Sequence, residues 1–102
     1  ILYLGTTRGV YRSFDGGYTA VLWGKGLADL SVTALLFDKT DPTTVYAGTA
    51  FSGIYASDDG GENWYAIGLQ DQSIEVIDTL AFGPTGHLFA VSDGGVWRGI
   101  KP

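Results

Sequence analysis

The chain has 102 residues, 45% of them apolar, enough for one small packed domain and too few for two. Charged residues make up only 17% against 16 glycines and 14% aromatics, so a disordered acidic tail, a coiled coil and a helical bundle are excluded. Eleven acidic and six scattered basic residues leave a net charge of −5, which argues against nucleic acid or an anionic membrane surface as partner.

In chain order, residues 1–5, 9–13 and about 19–26 read as three short strands, rich in β-branched and aromatic side chains and bounded by Gly, Asp and Thr. Residues 32–37 form a nearly unbroken apolar run that begins a set of four strands, followed by about 75–82, 88–92 and 95–99. The connections are turn chemistry: Asp15-Gly16-Gly17, 39–44, Asp59-Gly60-Gly61 and 84–87. No apolar stretch approaches the roughly 18 residues of a membrane helix, so no membrane insertion is expected. Cysteine is absent, which excludes disulfides and thiolate metal sites. The chain does not begin with Met, and its start reads as a processing site or a cut.

The strands repeat. Leu2-Tyr3-Leu4-Gly5-Thr6 returns as Val45-Tyr46-Ala47-Gly48-Thr49 and as Leu88-Phe89-Ala90-Val91-Ser92, with a period of about 43 residues. Gly9-Val10-Tyr11-Arg12-Ser13 returns as Gly53-Ile54-Tyr55-Ala56-Ser57 and Gly95-Val96-Trp97-Arg98-Gly99, and the run from Val32 aligns with the run from Ile77. Four strands in such a period predict an all-β fold, a β-propeller of four-stranded blades, A innermost to D outermost. The chain then holds about two and a half blades in one segment: 1–28 lacking strand A, 29–73 complete, and 74–102 lacking strand D. Inner strands with both faces covered are expected to be apolar throughout, with Asp78 as the exception.

The turn after strand C of the complete blade, Ser57-Asp58-Asp59-Gly60-Gly61-Glu62-Asn63-Trp64, closely resembles the Asp-box, Ser-x-Asp-x-Gly-x-Thr-Trp. An earlier copy, Ser13-Phe14-Asp15-Gly16-Gly17-Tyr18-Thr19-Ala20, keeps all but the Trp. Two copies at the same point of the repeat give a resemblance, over essentially the whole chain, to Asp-box (bacterial neuraminidase repeat) β-propellers. That group includes sialidases, xyloglucanase-type glycosidases, sortilin-type receptors and photosystem II assembly factors. In such boxes Asp15 and Asp59 accept hydrogen bonds from the turn, Gly17 and Gly61 permit positive φ, Ser13, Thr19, Ser57 and Asn63 complete the turn, and Trp64 covers it. The role is structural.

Chemistry is sparser. A sialidase-like site needs an arginine cluster with a tyrosine nucleophile, whereas Arg8, Arg12 and Arg98 do not form an equivalent set, and Arg12 and Arg98 read as outer structural residues. A xyloglucanase-like site needs two facing carboxylates; Asp78 is the best single candidate, while Asp29, Asp71 and Glu75 read as solvated loop residues. His87, the one histidine, reads as an exposed turn residue and cannot anchor a transition-metal site without further ligands. Phe51 adds an aromatic to one B–C loop and is a candidate sugar or protein contact. Tyr18 and Trp23 read as packing residues.

No catalytic residue, metal site or cofactor is assigned. The expected function is a non-enzymatic binding or scaffold module, extracytoplasmic as the resemblance implies, that contacts another protein through its blades. The alternative is a lectin or a glycoside hydrolase fragment with its catalytic residues mostly outside this chain. The missing strands A and D predict that the chain is not a free monomer, and that further blades or a companion chain complete it. A head-to-tail ring of identical copies fits poorly as a shared blade, because the two ends would supply A-B-C and B-C-D to one sheet.

Overall fold

The structure, a computed structural model, describes residues 2–24, 26–27, 30–68, 76–83, 87–92 and 95–100, with residues 97–100 described by backbone alone. It is all-β, and the described residues contain no helix. Three antiparallel sheets follow one another along the chain. The first joins β1 (Leu2–Thr6), β2 (Gly9–Ser13) and β3 (Val21–Leu22) in that order. The second joins β4 (Val32–Phe37), β5 (Val45–Thr49), β6 (Ile54–Ser57) and β7 (Tyr65–Gly68). The third joins β8 (Ile77–Phe82), β9 (Leu88–Ser92) and β10 (Gly95–Ile100). An isolated bridge, Ala50–Val76, links the second sheet to the third, and among the described residues the sheets do not close into a barrel.

Strand alternation decides which residues meet. In the first sheet, Tyr3 pairs with Arg12 and Gly5 with Val10 on one face, while Leu2 pairs with Ser13 and Leu4 with Tyr11 on the other. Val10 and Tyr3 pack against Val45, Ala47 and Trp64 of the second sheet. The opposite face of the second sheet carries Tyr46, Ile54 and Ala56 onto Ile77, Leu80, Leu88 and Ala90 of the third. Among the described residues the second sheet is thus covered on both faces, and each outer sheet on one. β1 lies against β4, and β8 against β4 and β5.

The strand buried throughout is β5, not the first strands of the second and third sheets. β4 and β8 stand at sheet edges and interrupt their pairing with bulges between Val32 and Ala34 and between Ile77 and Thr79. The residue skipped in each is Thr33 and Asp78, and both are exposed. This is the physical reason for the polar residue in an apolar run. β3 is also much shorter than the expected span of about 19–26, since its neighbours are taken up by the preceding turn and by Gly24 at φ 98°.

Candidate functional site

The two Ser-x-Asp turns have the same hydrogen-bond network. Ser57 donates from Oγ to Asp59 Oδ1 at 2.7 Å and accepts from Gly61 N–H at 2.8 Å. Asp59 accepts from Asn63 through the backbone N–H and the Nδ2 amide, each at 2.9 Å. Ser13, Asp15, Gly17 and Thr19 repeat every bond, with the Thr19 hydroxyl in place of the Asn63 amide. Gly16, Gly17, Gly60 and Gly61 all have positive φ, a conformation in which a Cβ is strained, so glycine is the residue these turns require. Trp64 is buried over its turn and donates Nε1–H to the Gly61 carbonyl at 2.9 Å.

These bonds favour the ionised carboxylates. Asp15 is lowered to about 2, chiefly by the Thr19 hydroxyl, and Asp59 to about 2, chiefly by the Asn63 backbone N–H. Asp38 and Asp41, in the β4–β5 turn, are lowered in the same way by Thr40 and Thr43. Four carboxylates are therefore committed to holding turns, and each is shifted away from the raised value a general acid needs.

The turn from Thr49 to Gly53 is one residue longer than the turn from Thr6 to Gly9, although both are pinned alike. Thr49 Oγ1 donates to the Gly53 carbonyl at 2.7 Å, as Thr6 Oγ1 does to Gly9 at 2.8 Å. The extra residue pushes Phe51 to φ 73°, the only described non-glycine at positive φ, and leaves it 73% exposed. Asp78 is exposed in its bulge in β8, and Arg8 is exposed in the β1–β2 loop. An isolated bridge pairs Ala50, next to Phe51, with Val76, two residues before Asp78.

Two features escape a reading of the sequence. Arg12 is stacked between two rings, its Cζ 3.2 Å from the Trp23 centroid and 4.5 Å from that of Phe14, and its buried Nε has no hydrogen-bond partner. The only signal was placement: Arg12 and Phe14 are two apart, and Val21, two before Trp23, pairs with Arg12. Tyr18, read as a packing residue, is instead 92% exposed. It holds the turn position that Glu62 holds in the second copy, which points outward there too.

The end sheets each show an exposed apolar face among the described residues, as the incomplete end blades lead one to expect. On the first sheet, Leu2, Leu4 and Leu22 are exposed beside Tyr11, and Leu4, Tyr11 and Ala20 help line an open groove of about 320 Å³. On the third sheet, Val96 is 67% exposed and pairs with Val91, itself 37% exposed. His87 is half-buried, with its carbonyl accepting from Gly83 N–H at 2.9 Å. Asp29, Asp71, Glu75 and the Arg98 side chain lie outside what the structure describes. No group of three or more candidate metal ligands occurs among the described residues. No protein-family model matches the chain, and a search of curated proteins finds no relative.

Proposed function

We propose that the chain is a non-enzymatic, extracytoplasmic binding or scaffold module, a segment of an Asp-box propeller that works by protein contact through its sheet faces. The observation that carries this reading is the pair of apolar faces left uncovered at the two ends of the three-sheet stack. The propeller reading is supported by the repeated sheet order, by sheets packed face to face in succession, and by two turns with identical hydrogen bonds at the same point of the repeat. The commitment of Asp15, Asp38, Asp41 and Asp59 to turn hydrogen bonds supports structure over catalysis for the carboxylates of that end of the sheets.

A second reading, a glycan-binding or glycoside hydrolase fragment, is favoured by Phe51, whose exposed ring on a left-handed backbone suits stacking on a sugar face. A glycan array together with fluorogenic glycosides separates the two. The protein-contact reading predicts neither saturable sugar binding nor turnover. Sugar binding lost in Phe51→Ala, or hydrolysis lost in Asp78→Asn, would contradict it.

A further inference from the structure

The guanidinium of Arg12 sits where the first sheet meets the second. Arg12 pairs with Tyr3 across β1 and β2 and shares its face, the one turned towards the second sheet. Tyr3 and Trp23 both donate to the Gly60 carbonyl, at 2.9 and 3.2 Å, and the Trp23 backbone N–H donates to the Val10 carbonyl at 2.8 Å. The Trp23 ring is therefore fixed at its backbone and at its indole nitrogen. It forms a rigid platform for the guanidinium, whose Cζ lies 3.2 Å from the ring centroid, and Phe14 bears on the same group at 4.5 Å.

The repeat itself does not require this stack. At an offset of 44 residues, Arg12, Phe14 and Trp23 give way to Ala56, Asp58 and Ile67, and the second sheet forms the same strand pairing and the same turn bonds without them. The charge also stands without a counter-ion. The carboxylates of the two turns are taken up, Asp15 by Ser13 and Thr19, and Asp59 by Ser57 and Asn63. Among the described residues none pairs with Arg12. Its Nε is buried without a hydrogen-bond partner, while the two terminal amino groups are open to solvent.

We propose that Arg12 is an anchor for a single carboxylate, an Asp or Glu side chain of a protein partner. A freely moving surface arginine gains little from an ion pair, because ordering its long side chain offsets the attraction. Here the two rings already hold the side chain, so an incoming anion meets a pre-organised, planar group. With Nε sealed, the open approach is end-on to Nη1 and Nη2, whose parallel N–H groups match the two oxygens of a carboxylate. One unpaired cation on a chain of net charge −5 suits one negative charge and repels a polyanion. Phe14, 65% exposed, and Tyr18, 92% exposed in the same turn, add the aromatic surface that accompanies arginine in protein contacts. The proposal rests on the reading of the chain as a protein-contact module and names the chemistry its partner brings.

The test is an NMR titration of the chain, followed at the Trp23 indole N–H, with three probes: the capped tripeptide acetyl-Leu-Glu-Leu-amide, its Gln counterpart and inorganic phosphate. The Glu peptide is expected to give a saturable shift. Binding is expected to weaken about tenfold or more with the Gln peptide, in Arg12→Gln, and in Arg12→Lys, which keeps the charge but lacks the planar fork. Circular dichroism checks each variant for retained β-structure, and if Arg12→Gln fails to fold, the two peptides on wild type and Arg12→Lys still decide. No saturable shift, equal binding of the two peptides, full binding by Arg12→Lys, or phosphate bound as tightly as the Glu peptide would each overturn the carboxylate anchor. Any of these results leaves the protein-contact reading standing, since that reading falls on sugar binding or glycoside turnover.

Discussion

Tyr3 and Gly60 lie 57 positions apart in the chain and are joined by a hydrogen bond, the phenol donating to the Gly60 carbonyl at 2.9 Å. Trp23 Nε1–H donates to the same carbonyl at 3.2 Å, and the Gly60 N–H donates to the Thr43 carbonyl at 2.8 Å. One residue of the second Ser-x-Asp turn therefore ties together the first sheet, its own sheet and the β4–β5 turn. The turn acts as an inter-sheet fastener. Tyr3→Phe removes one donor and leaves Trp23 on the carbonyl, so a loss of about 0.5–1.5 kcal/mol is expected in urea denaturation. No change in the urea midpoint would show that the fastener carries no stability.

Ser57 is fully buried, and its hydroxyl is the acceptor for Gly61 N–H. Ser57→Ala is expected to lose about 1–3 kcal/mol, the range for a buried donor left without its acceptor. Trp64→Ala, which empties the space over the same turn, is expected to lose about 3–5 kcal/mol. Thermal or chemical unfolding of the two variants checks the order: Trp64→Ala unfolds first.

Asp15 and Asp59 titrate at about 2 in the folded chain, below the ordinary carboxyl value, so the unfolded chain takes up protons more readily as the pH falls. Their stabilisation is complete above the unfolded pKa of about 4 and is lost as the pH drops through the folded value. Asp38 and Asp41, also lowered, act in the same direction. The urea midpoint is expected to hold at about pH 5 and to fall steadily towards pH 2, and Asp59→Asn is expected to show a shallower fall. A midpoint independent of pH over that window would contradict the turn electrostatics.

Gly48→Val places a side chain against the buried Ile77 at the junction of the second and third sheets. It is expected to destabilise the chain by about 1–3 kcal/mol through overpacking. Val91→Gly, at the equivalent position on an uncovered face, is expected to cost less in the dilute chain. Equal losses at the two positions would show that the close approach at Gly48 is not what sets its cost.

The strands were legible because they repeat: a pattern seen once is weak, but Leu2-Tyr3-Leu4-Gly5 echoed at Val45 and Leu88 fixes both register and face. The Ser-x-Asp turns were legible because their chemistry is local. The bulges were harder, since Thr33 and Asp78 show only a polar residue at matching positions, and nothing in the strand itself says it skips out of the ladder. The Arg12 stack was hidden because its second ring, Trp23, lies just past β3, a strand whose register rests on a two-residue pairing. The exposure of Tyr18 was available from its equivalence to Glu62, but aromatic character outweighed position.

Hydroxyl-radical footprinting of the dilute chain, read residue by residue, tests most directly whether the two end faces are open to a partner. Leu4, Leu22, Val91 and Val96 are expected to react, as are Phe51 and Tyr18, while Ile54 and Leu88, buried between the sheets, stay protected. End faces protected in the dilute chain would contradict it.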